Sequence, residues 1–148
     1  MVYLNGVKTL PDGYTPLEYI ETNGNAYIDT GYFPNNKTAI HMDFQFTRDV
    51  AAHIFGARTA SQNDAFAICF ESDFGWCLQI NDSIYNGGIF DRSIRHKIIL
   101  NADYFQIDGN INTTMNASAS SFTSGGSLYI AACSNSTIPD ENMYGKIY

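Results

Sequence analysis

The chain has 148 residues, of which 14% are aromatic and 16% charged, and it carries a net charge of −7 with only eight lysines and arginines. This length fits one domain with its own core, and so acidic a chain argues against nucleic acid as a partner. No apolar run approaches the roughly 20 residues that span a bilayer, so we expect no membrane segment. The abundance of aromatic, asparagine, serine, threonine and glycine residues is typical of an all-β protein with many turns.

Cysteine and histidine usage favours neither a disulfide framework nor a zinc centre. The chain has three cysteines, an odd number, which argues against such a framework. Cys69 and Cys77 could face each other across one hairpin, so a single bridge is the alternative to free thiols. The three histidines are scattered along the chain, whereas zinc needs four close ligands.

The first ten residues read as two short extended segments around a turn. Residues 2–4 and 7–10 are the extended segments, and Asn5-Gly6 between them is a strong hairpin signal. They contain no apolar stretch of roughly 7 to 15 residues, so we expect no signal peptide. We therefore divide the chain into an N-terminal arm or linker strand, residues 1–10, and one sandwich domain, residues 11–148.

The most regular pattern lies in residues 66–80, which we expect to form a β-hairpin around a loop at residues 72–74. Every large apolar residue then falls on one face, and the smaller and more polar residues fall on the other. A shift by one residue would put aromatic residues on both faces, so the register is well specified. The expected pairs are Phe70 with Trp76, Ile68 with Leu78 and Phe66 with Ile80 on the apolar face, and Ala67 with Gln79, Cys69 with Cys77 and Glu71 with Gly75 on the other.

Short strands separated by turns also account for the rest of the chain. Residues 39–46 alternate between apolar and polar side chains, and no segment shows sustained helical periodicity. Turn signals recur every 8 to 12 residues or so, which predicts an all-β, two-sheet antiparallel β-sandwich. A later hairpin is expected to pair Ile98 with Ile107 and Leu100 with Phe105.

Residues 10–36, LPDGYTPLEYIETNGNAYIDTGYFPNN, carry a specific motif. They resemble the LPxGYTxLEYIExxGxxYIDTG opening of a domain found in bacterial surface proteins and bacteriophage structural proteins. That domain belongs to the concanavalin A-like lectin/glucanase superfamily and has a laminin G-like jelly roll. The resemblance continues through most of the chain, at residues 42–46, 54–58, 95–100, 105–110 and 127–132.

The resemblance implies a concanavalin A/laminin G-like jelly roll. This chain departs from the family at one point, because family members usually continue with a further strand after a segment like residues 144–148. The sandwich would then lack its final strand, and its open edge would be covered by residues 2–10, by another subunit or by nothing.

Catalysis is tested first, because the superfamily includes glucanases. Their acids follow a Glu-x-Asp-x-x-Glu pattern on one strand, and this sequence contains no such pattern. The closest acid pair, Glu71 and Asp73, flanks a hairpin loop, where exposed carboxylates ordinarily serve solvation. We therefore expect no enzymatic activity.

Glycan binding is the alternative, because sugar sites combine exposed aromatic rings with polar hydrogen-bonding groups. The expected binding residues are Arg58 and Asn63 in a polar loop, Tyr85 in a short strand between two turns, and the single tryptophan, Trp76. Two other interpretations remain open. The hairpin register favours a core position for Trp76, and an ordinary polar surface is the favoured interpretation of Tyr85 and of the loop around Arg58 and Asn63.

We expect no cofactor and no metal site, with calcium as the one alternative, because laminin G-like jelly rolls often bind it through loop carboxylates. Here Asp49, Asp82 and Asp91 are spread singly along the chain, whereas calcium takes about six to eight oxygen ligands.

The resulting hypothesis is a non-catalytic, lectin-like adhesion or decoration module of a bacteriophage virion. Its expected partners are a glycan or cell-surface polysaccharide and neighbouring virion subunits, in a homo-oligomer or a larger assembly. Two alternatives are a purely structural domain that makes protein contacts, and a secreted carbohydrate-binding module of a bacterial surface.

Overall fold

A computed structural model describes residues 2–4, 7–9, 17–59, 64–71, 75–89, 91–115, 121–135, 138–140 and 142–148. Several sequence expectations lie outside these residues, namely the first part of the opening motif, at 10–16, Asn63 and the hairpin loop at 72–74. The described residues form strands and no helix, and none of them therefore belongs to a helix long and apolar enough to cross a membrane.

Sixteen strands are assigned in the described part of the chain. In chain order they are β1 Val2–Leu4, β2 Val7–Thr9, β3 Ile20–Asn23, β4 Ile28–Asp29, β5 Ile40–Phe46, β6 Ala52–Arg58, β7 Ala65–Glu71, β8 Gly75–Asn81, β9 Ser83–Gly87, β10 His96–Leu100, β11 Tyr104–Ile107, β12 Asn110–Thr114, β13 Tyr129–Ile130, β14 Cys133–Asn135, β15 Ile138–Asp140 and β16 Tyr144–Ile147.

Two large sheets make up the domain. The six-stranded sheet has the order β12-β11-β10-β5-β16-β3, and all its neighbouring strands are antiparallel. The eight-stranded sheet has the order β15-β14-β6-β7-β8-β9, with β13 and β4 joined to it through β6. This architecture confirms the predicted all-β, jelly-roll β-sandwich.

The central hairpin, β7 and β8, has the register expected from its alternation. Phe66 lies opposite Ile80, Ile68 opposite Leu78, and Phe70 opposite Trp76. The second face is more enclosed than its smaller side chains suggested, because Ala67 and Cys69 are buried as well. The later hairpin also has the predicted pairs, Ile98 with Ile107 and Leu100 with Phe105.

The core lies between the two sheets and is built largely from aromatic rings. Phe44 of β5 packs against Phe70 of β7 with ring centroids 5.4 Å apart, and Trp76 of β8 meets Phe105 of β11 edge to face at 4.9 Å. Each contact joins one sheet to the other. Aromatic side chains therefore supply much of the apolar area whose burial holds the sandwich closed.

Strand β16 is an interior strand of the six-stranded sheet, between β5 and β3. Lys146 lies opposite Gln45 on one side and opposite Glu21 on the other. Among the described residues, β1 and β2 pair only with each other, in a separate two-stranded sheet. They do not pair with the edge strand β3, so they do not cover that edge by strand addition.

Candidate functional site

Trp76 lies in the core and not on the surface. Its side chain is only 3% exposed, and its indole contacts Phe105 of the opposite sheet. A sugar ring needs an open aromatic face, and this indole presents none. The structure therefore corrects the assignment of Trp76 as a binding residue and agrees with the core position favoured by the hairpin register.

Arg58 and Tyr85 are not brought together. They lie on β6 and β9, three strands apart in the same sheet, or about 14 Å at the usual strand spacing. Tyr85 lies opposite Leu78 and packs against the core, whereas Arg58 follows the buried Ala57 and so points to the opposite face. Asn63 lies outside the described residues. The expected binding residues therefore do not form one site in the described part of the chain.

A different cluster lies on the outer face of the six-stranded sheet. Phe44 and Phe46 of β5 point into the core, so alternation turns Asp43 and Gln45 outward. Lys146 lies beside Gln45 on the neighbouring strand. We call this surface the tyrosine–cation face, and its members are Tyr19, Glu21, Asp43, Gln45, Arg48, Arg95, Lys97, Tyr144, Lys146 and Tyr148.

Three tyrosine rings on this face each have a cation above them. Such contacts are attractive because the face of an aromatic ring is electron-rich, and they hold both partners in place. The rings of Tyr19 and Tyr148 also contact each other, with centroids 5.7 Å apart. The three pairs are Arg95 over Tyr148 at 3.9 Å, Lys146 over Tyr19 at 4.0 Å and Arg48 over Tyr144 at 4.7 Å.

Polar contacts hold the Arg95–Tyr148 pair in place. Arg95 Nη2 donates to Asp43 Oδ2 at 2.6 Å, and the Tyr148 hydroxyl donates to Gln45 Oε1 at 3.1 Å. Gln45 Nε2 in turn donates to the carbonyl oxygen of Ser93 at 2.6 Å. These contacts fix one tyrosine hydroxyl and one guanidinium before any ligand arrives, which reduces the entropy cost of binding.

This face is rich in cationic side chains, although the protein as a whole is acidic. The chain has eight lysines and arginines and a net charge of −7, yet Arg48, Arg95, Lys97 and Lys146 all lie here. A hydrogen bond with Tyr19 raises the pKa of Lys146, and Glu21 and Tyr148 act in the same direction. The ammonium group is therefore held in its charged form.

A cavity of about 250 Å³ adjoins the face where β5 ends. Arg48 lines the cavity and also lies over Tyr144, so the two features share a residue. Arg92 also lines the cavity, and its Nη1 donates to the Val50 carbonyl oxygen at 2.8 Å and lies 3.0 Å from Asp49 Oδ1. The lining residues are Phe46, Thr47, Arg48, Asp49, Arg92 and Ser93.

This arrangement offers aromatic rings, cationic donors and carboxylate and amide acceptors on one surface. These are the groups that recognise polar, hydroxyl-rich ligands. Within the described ranges, no group of three or more histidine, cysteine or acidic side chains is placed to hold a metal ion. Asp91 is not a candidate general acid, because hydrogen bonds from the Ser93 hydroxyl and N–H lower its pKa.

Sequence reasoning missed this face, although part of the signal was present. Alternation in residues 144–148, YGKIY, puts Tyr144, Lys146 and Tyr148 on one side of a strand. The other contributors come from segments far away in the chain. The pairing of β16 with β3 and β5, and of β5 with β10, brings them together.

Comparisons with known proteins show the fold. No protein-family model matches the chain, and no curated protein matches it in sequence. Among solved structures, it is similar to the carbohydrate-binding module CBM40 of a Ruminococcus gnavus IT-sialidase, a structure with α2,3-sialyllactose bound. The TM-score is 0.66 at 11% identity, over 88% of this chain and 86% of that one. At this identity the likeness establishes that the chain shares the β-sandwich fold of that module.

Proposed function

We propose that this chain is a non-catalytic glycan-binding module and that the tyrosine–cation face is its binding surface. One observation carries the proposal, namely that three tyrosine rings with cations above them lie beside outward-facing Asp43 and Gln45 on one sheet. The sialyllactose bound to the structurally similar CBM40 supports a sugar as the ligand class. The absence of the glucanase acid pattern supports a role without catalysis.

The binding mode follows from the groups on the face. Tyr148 is half-buried and Arg95 lies over its ring, so a sugar would pack on the part of the ring that this cation leaves open, while cationic donors and carboxylate acceptors meet the hydroxyl groups. The surface is open and not a deep cleft, so a single site would bind weakly. Many copies on one particle would convert weak binding into firm attachment.

The setting that fits this avidity is the surface of a bacteriophage virion, with neighbouring virion subunits as the protein partners. The resemblance of residues 10–36 to a motif of phage structural and bacterial surface proteins supports it. A secreted module of a bacterial surface is the alternative setting. Detection of the chain in purified particles, as opposed to the culture supernatant of a bacterium, would separate the two.

The first experiment is a glycan array probed with the purified protein presented on beads, in the presence of calcium and then of a chelator. Wild type should bind at least one glycan class, and Tyr148→Ala should lose that binding. Tyr32→Ala is the matched control, because Tyr32 is 47% exposed and bonds Thr38 outside the face. Loss of binding in chelator would add calcium to the site.

Two further variants separate the tyrosine–cation face from the residues expected from sequence. Arg58→Ala and Tyr85→Ala should bind as wild type does. If these two lose binding while Tyr148→Ala retains it, the site lies elsewhere on the sandwich. If the array is silent while lectin controls bind, the glycan proposal fails.

A purely structural role is the second candidate, and one observation favours it. Beside the edge strand β3, Ile20 and Ile28 are 46% and 44% exposed around a shallow groove that Tyr27 also lines. An exposed apolar patch beside an unpaired strand edge is a typical subunit contact. Light scattering would report a concentration-dependent oligomer, which Ile28→Asp should dissociate.

A further inference from the structure

We propose that the cavity between Arg48 and Arg92 is a subsite for an oxyanion, the carboxylate or sulfate group of an acidic glycan. This inference rests on the proposed glycan-binding function and specifies its ligand class. The cavity, of about 250 Å³, is large enough for such a substituent, and Arg48 links it directly to the tyrosine–cation face. A sugar on the face would place a substituent at the cavity mouth.

The central observation is the buried guanidinium of Arg92. Its side chain is only 10% exposed, and its position is fixed by the Phe46 ring, 5.3 Å from the guanidinium carbon, and by the Val50 carbonyl. Within the described part of the chain, its Nη2 atom is buried and has no hydrogen-bond partner. A buried donor of a charged group that lacks an acceptor costs free energy. The guanidinium is therefore one acceptor short, and an anion bound nearby would offset part of that cost.

Among the described residues, Asp49 is the one counter-charge paired with Arg92, and it contacts Nη1 alone, at 3.0 Å. Its carboxylate is 73% exposed, so solvent screens the pair and the side chain can rotate away at little cost. An external oxyanion could then take the place of Asp49 at Nη1, the terminal nitrogen that already has an anionic partner. Charge-assisted hydrogen bonds of this kind are stronger than neutral ones, and carboxylate and sulfate oxygens both accept them.

Arg48 supplies a second positive charge at the same cavity. Two cations around one small cavity would repel each other, and the solvent-exposed carboxylates of Asp49 and of Asp91, which accepts from Ser93, compensate them only in part. An anion bound between them relieves that repulsion, whereas a neutral sugar does not. The cavity consequently discriminates between acidic and neutral glycans through charge as well as through hydrogen bonding.

A purely structural role for Arg92 is the competing explanation, because its Nη1 atom also holds the loop that follows β5 through Val50. Loss of binding in an Arg92 variant would not separate the two explanations. Asp49→Ala does separate them. If Asp49 occupies the position of the external anion, removing it opens the subsite and strengthens anion binding several-fold. If Arg92 only holds the loop, the same substitution leaves anion binding unchanged or weaker.

The first test uses inorganic sulfate and needs no glycan. Sulfate is titrated at constant ionic strength into wild type, Asp49→Ala and Arg92→Gln, and the side-chain N–H resonances of the arginines are followed by NMR. We expect saturable shifts at Arg92 and Arg48 in wild type, several-fold tighter binding in Asp49→Ala, and loss of the Arg48 shift in Arg92→Gln. Lys37→Ala is the control, because Lys37 is an exposed cation outside the tyrosine–cation face. An equal loss in Lys37→Ala, or no tightening in Asp49→Ala, would overturn the proposal.

The second test compares lactose, sialyllactose and sulfated lactose as ligands of the same proteins. One well-made charged hydrogen-bond pair predicts that an acidic form binds wild type about tenfold or more tighter than lactose. This ratio should fall to about one in Arg92→Gln. Preference for sialyllactose would assign the anion as a carboxylate, and preference for the sulfated sugar would assign it as a sulfate ester.

The two proposals fail in different ways. Saturable sulfate binding at Arg92, with no sugar bound by any variant, would leave the anion subsite standing and refute the glycan function. Equal binding of lactose and its acidic forms, without sulfate binding, would leave the glycan function standing and refute the subsite.

Discussion

The guanidinium carbon of Arg95 lies 3.9 Å from the centroid of the Tyr148 ring, and Nη2 of the same group lies 2.6 Å from Asp43 Oδ2. Arg95 precedes β10, Asp43 lies in β5 and Tyr148 follows β16. One side chain thus connects three neighbouring strands of the six-stranded sheet on their outer side. The side chain of Arg95 is 51% exposed, which limits how much each contact stabilises the fold.

A double-mutant cycle should reveal this connection. Arg95→Ala and Tyr148→Ala, singly and together, should give a coupling energy of about 0.5–1 kcal/mol in urea unfolding, the usual range for an exposed cation–π pair. Lys97→Ala serves as the control, because its Nζ lies 3.9 Å from Asp43 Oδ1 and its side chain is 67% exposed. That substitution should change stability by less than about 0.5 kcal/mol. Additive effects of the two main substitutions would mean that the stacked geometry contributes nothing.

Adjacent glycines at the end of β9 should respond in opposite ways to the same substitution. A Cβ atom at Gly87 would overlap the indole of Trp76, whereas one at Gly88 would meet nothing within 4 Å. Gly87→Ala should therefore lower the free energy of unfolding by about 1–3 kcal/mol, the usual cost of overpacking. Gly88→Ala should change it by no more than about 0.5 kcal/mol. Urea denaturation of both variants is the measurement, and equal effects would contradict the close packing of Gly87 on the indole.

Much of the fold could be predicted because the information is local. In β7 and β8, large and small residues alternate on both sides of a short loop, so the register of Phe66, Ile68 and Phe70 against their partners follows from the sequence alone. The inward position of Trp76 follows from the same register. The alternation of large and small residues that sets the pairing of this strand therefore argues against Trp76 as a binding residue.

The candidate site could not be predicted in the same way, because it is built from distant segments. Tyr19 and Tyr148 are neighbours only because β16 inserts between β3 and β5. The alternation of apolar and polar residues along one strand does not determine which strand pairs with it. Similarly, the order of strands from β6 to β9 is needed before Arg58 and Tyr85 can be seen to lie on opposite faces of a sheet.

Stability should fall at acidic pH partly through Asp108. Burial raises the pKa of this carboxyl group, but the N–H of Lys97 and the imidazole of His96 outweigh burial and lower it overall. The contacts are 2.8 Å from Lys97 N to Oδ1 and 2.7 Å from His96 Nδ1 to Oδ2. Since the folded-state pKa is lowered, the ionised group stabilises the fold above its unfolded pKa of about 4, and this contribution is lost as the pH falls through the folded-state value.

Asp108→Asn should reproduce this loss at neutral pH. The substitution suits the turn, because Asp108 has φ of 50° and asparagine tolerates this left-handed conformation. We expect a loss of under about 1 kcal/mol at pH 7, because the carboxylate is 45% exposed and solvent screens it. The difference from wild type should shrink as the pH drops below about 4. Asp103→Asn, an exposed carboxylate in the preceding turn, is the control. A difference independent of pH would rule out the charged contact as its cause.

Trp76, the only tryptophan of the chain, gives an optical test of where the ligand binds. Because its indole is 3% exposed and packs on Phe105 at 4.9 Å, native emission should be that of a buried indole and should shift to the red when the protein unfolds in urea. Saturation with a glycan that binds the tyrosine–cation face should leave the emission unchanged, because Trp76 lies on β8 of the other sheet. Trp76→Ala should lower the free energy of unfolding by about 3–5 kcal/mol, as expected for a large core side chain. The glycan concentration is chosen so that it leaves the unfolding midpoint of Tyr148→Ala unaltered. Quenching or a shift of the tryptophan emission at that concentration would instead place the indole in contact with the sugar. The hairpin would then have to open around the indole.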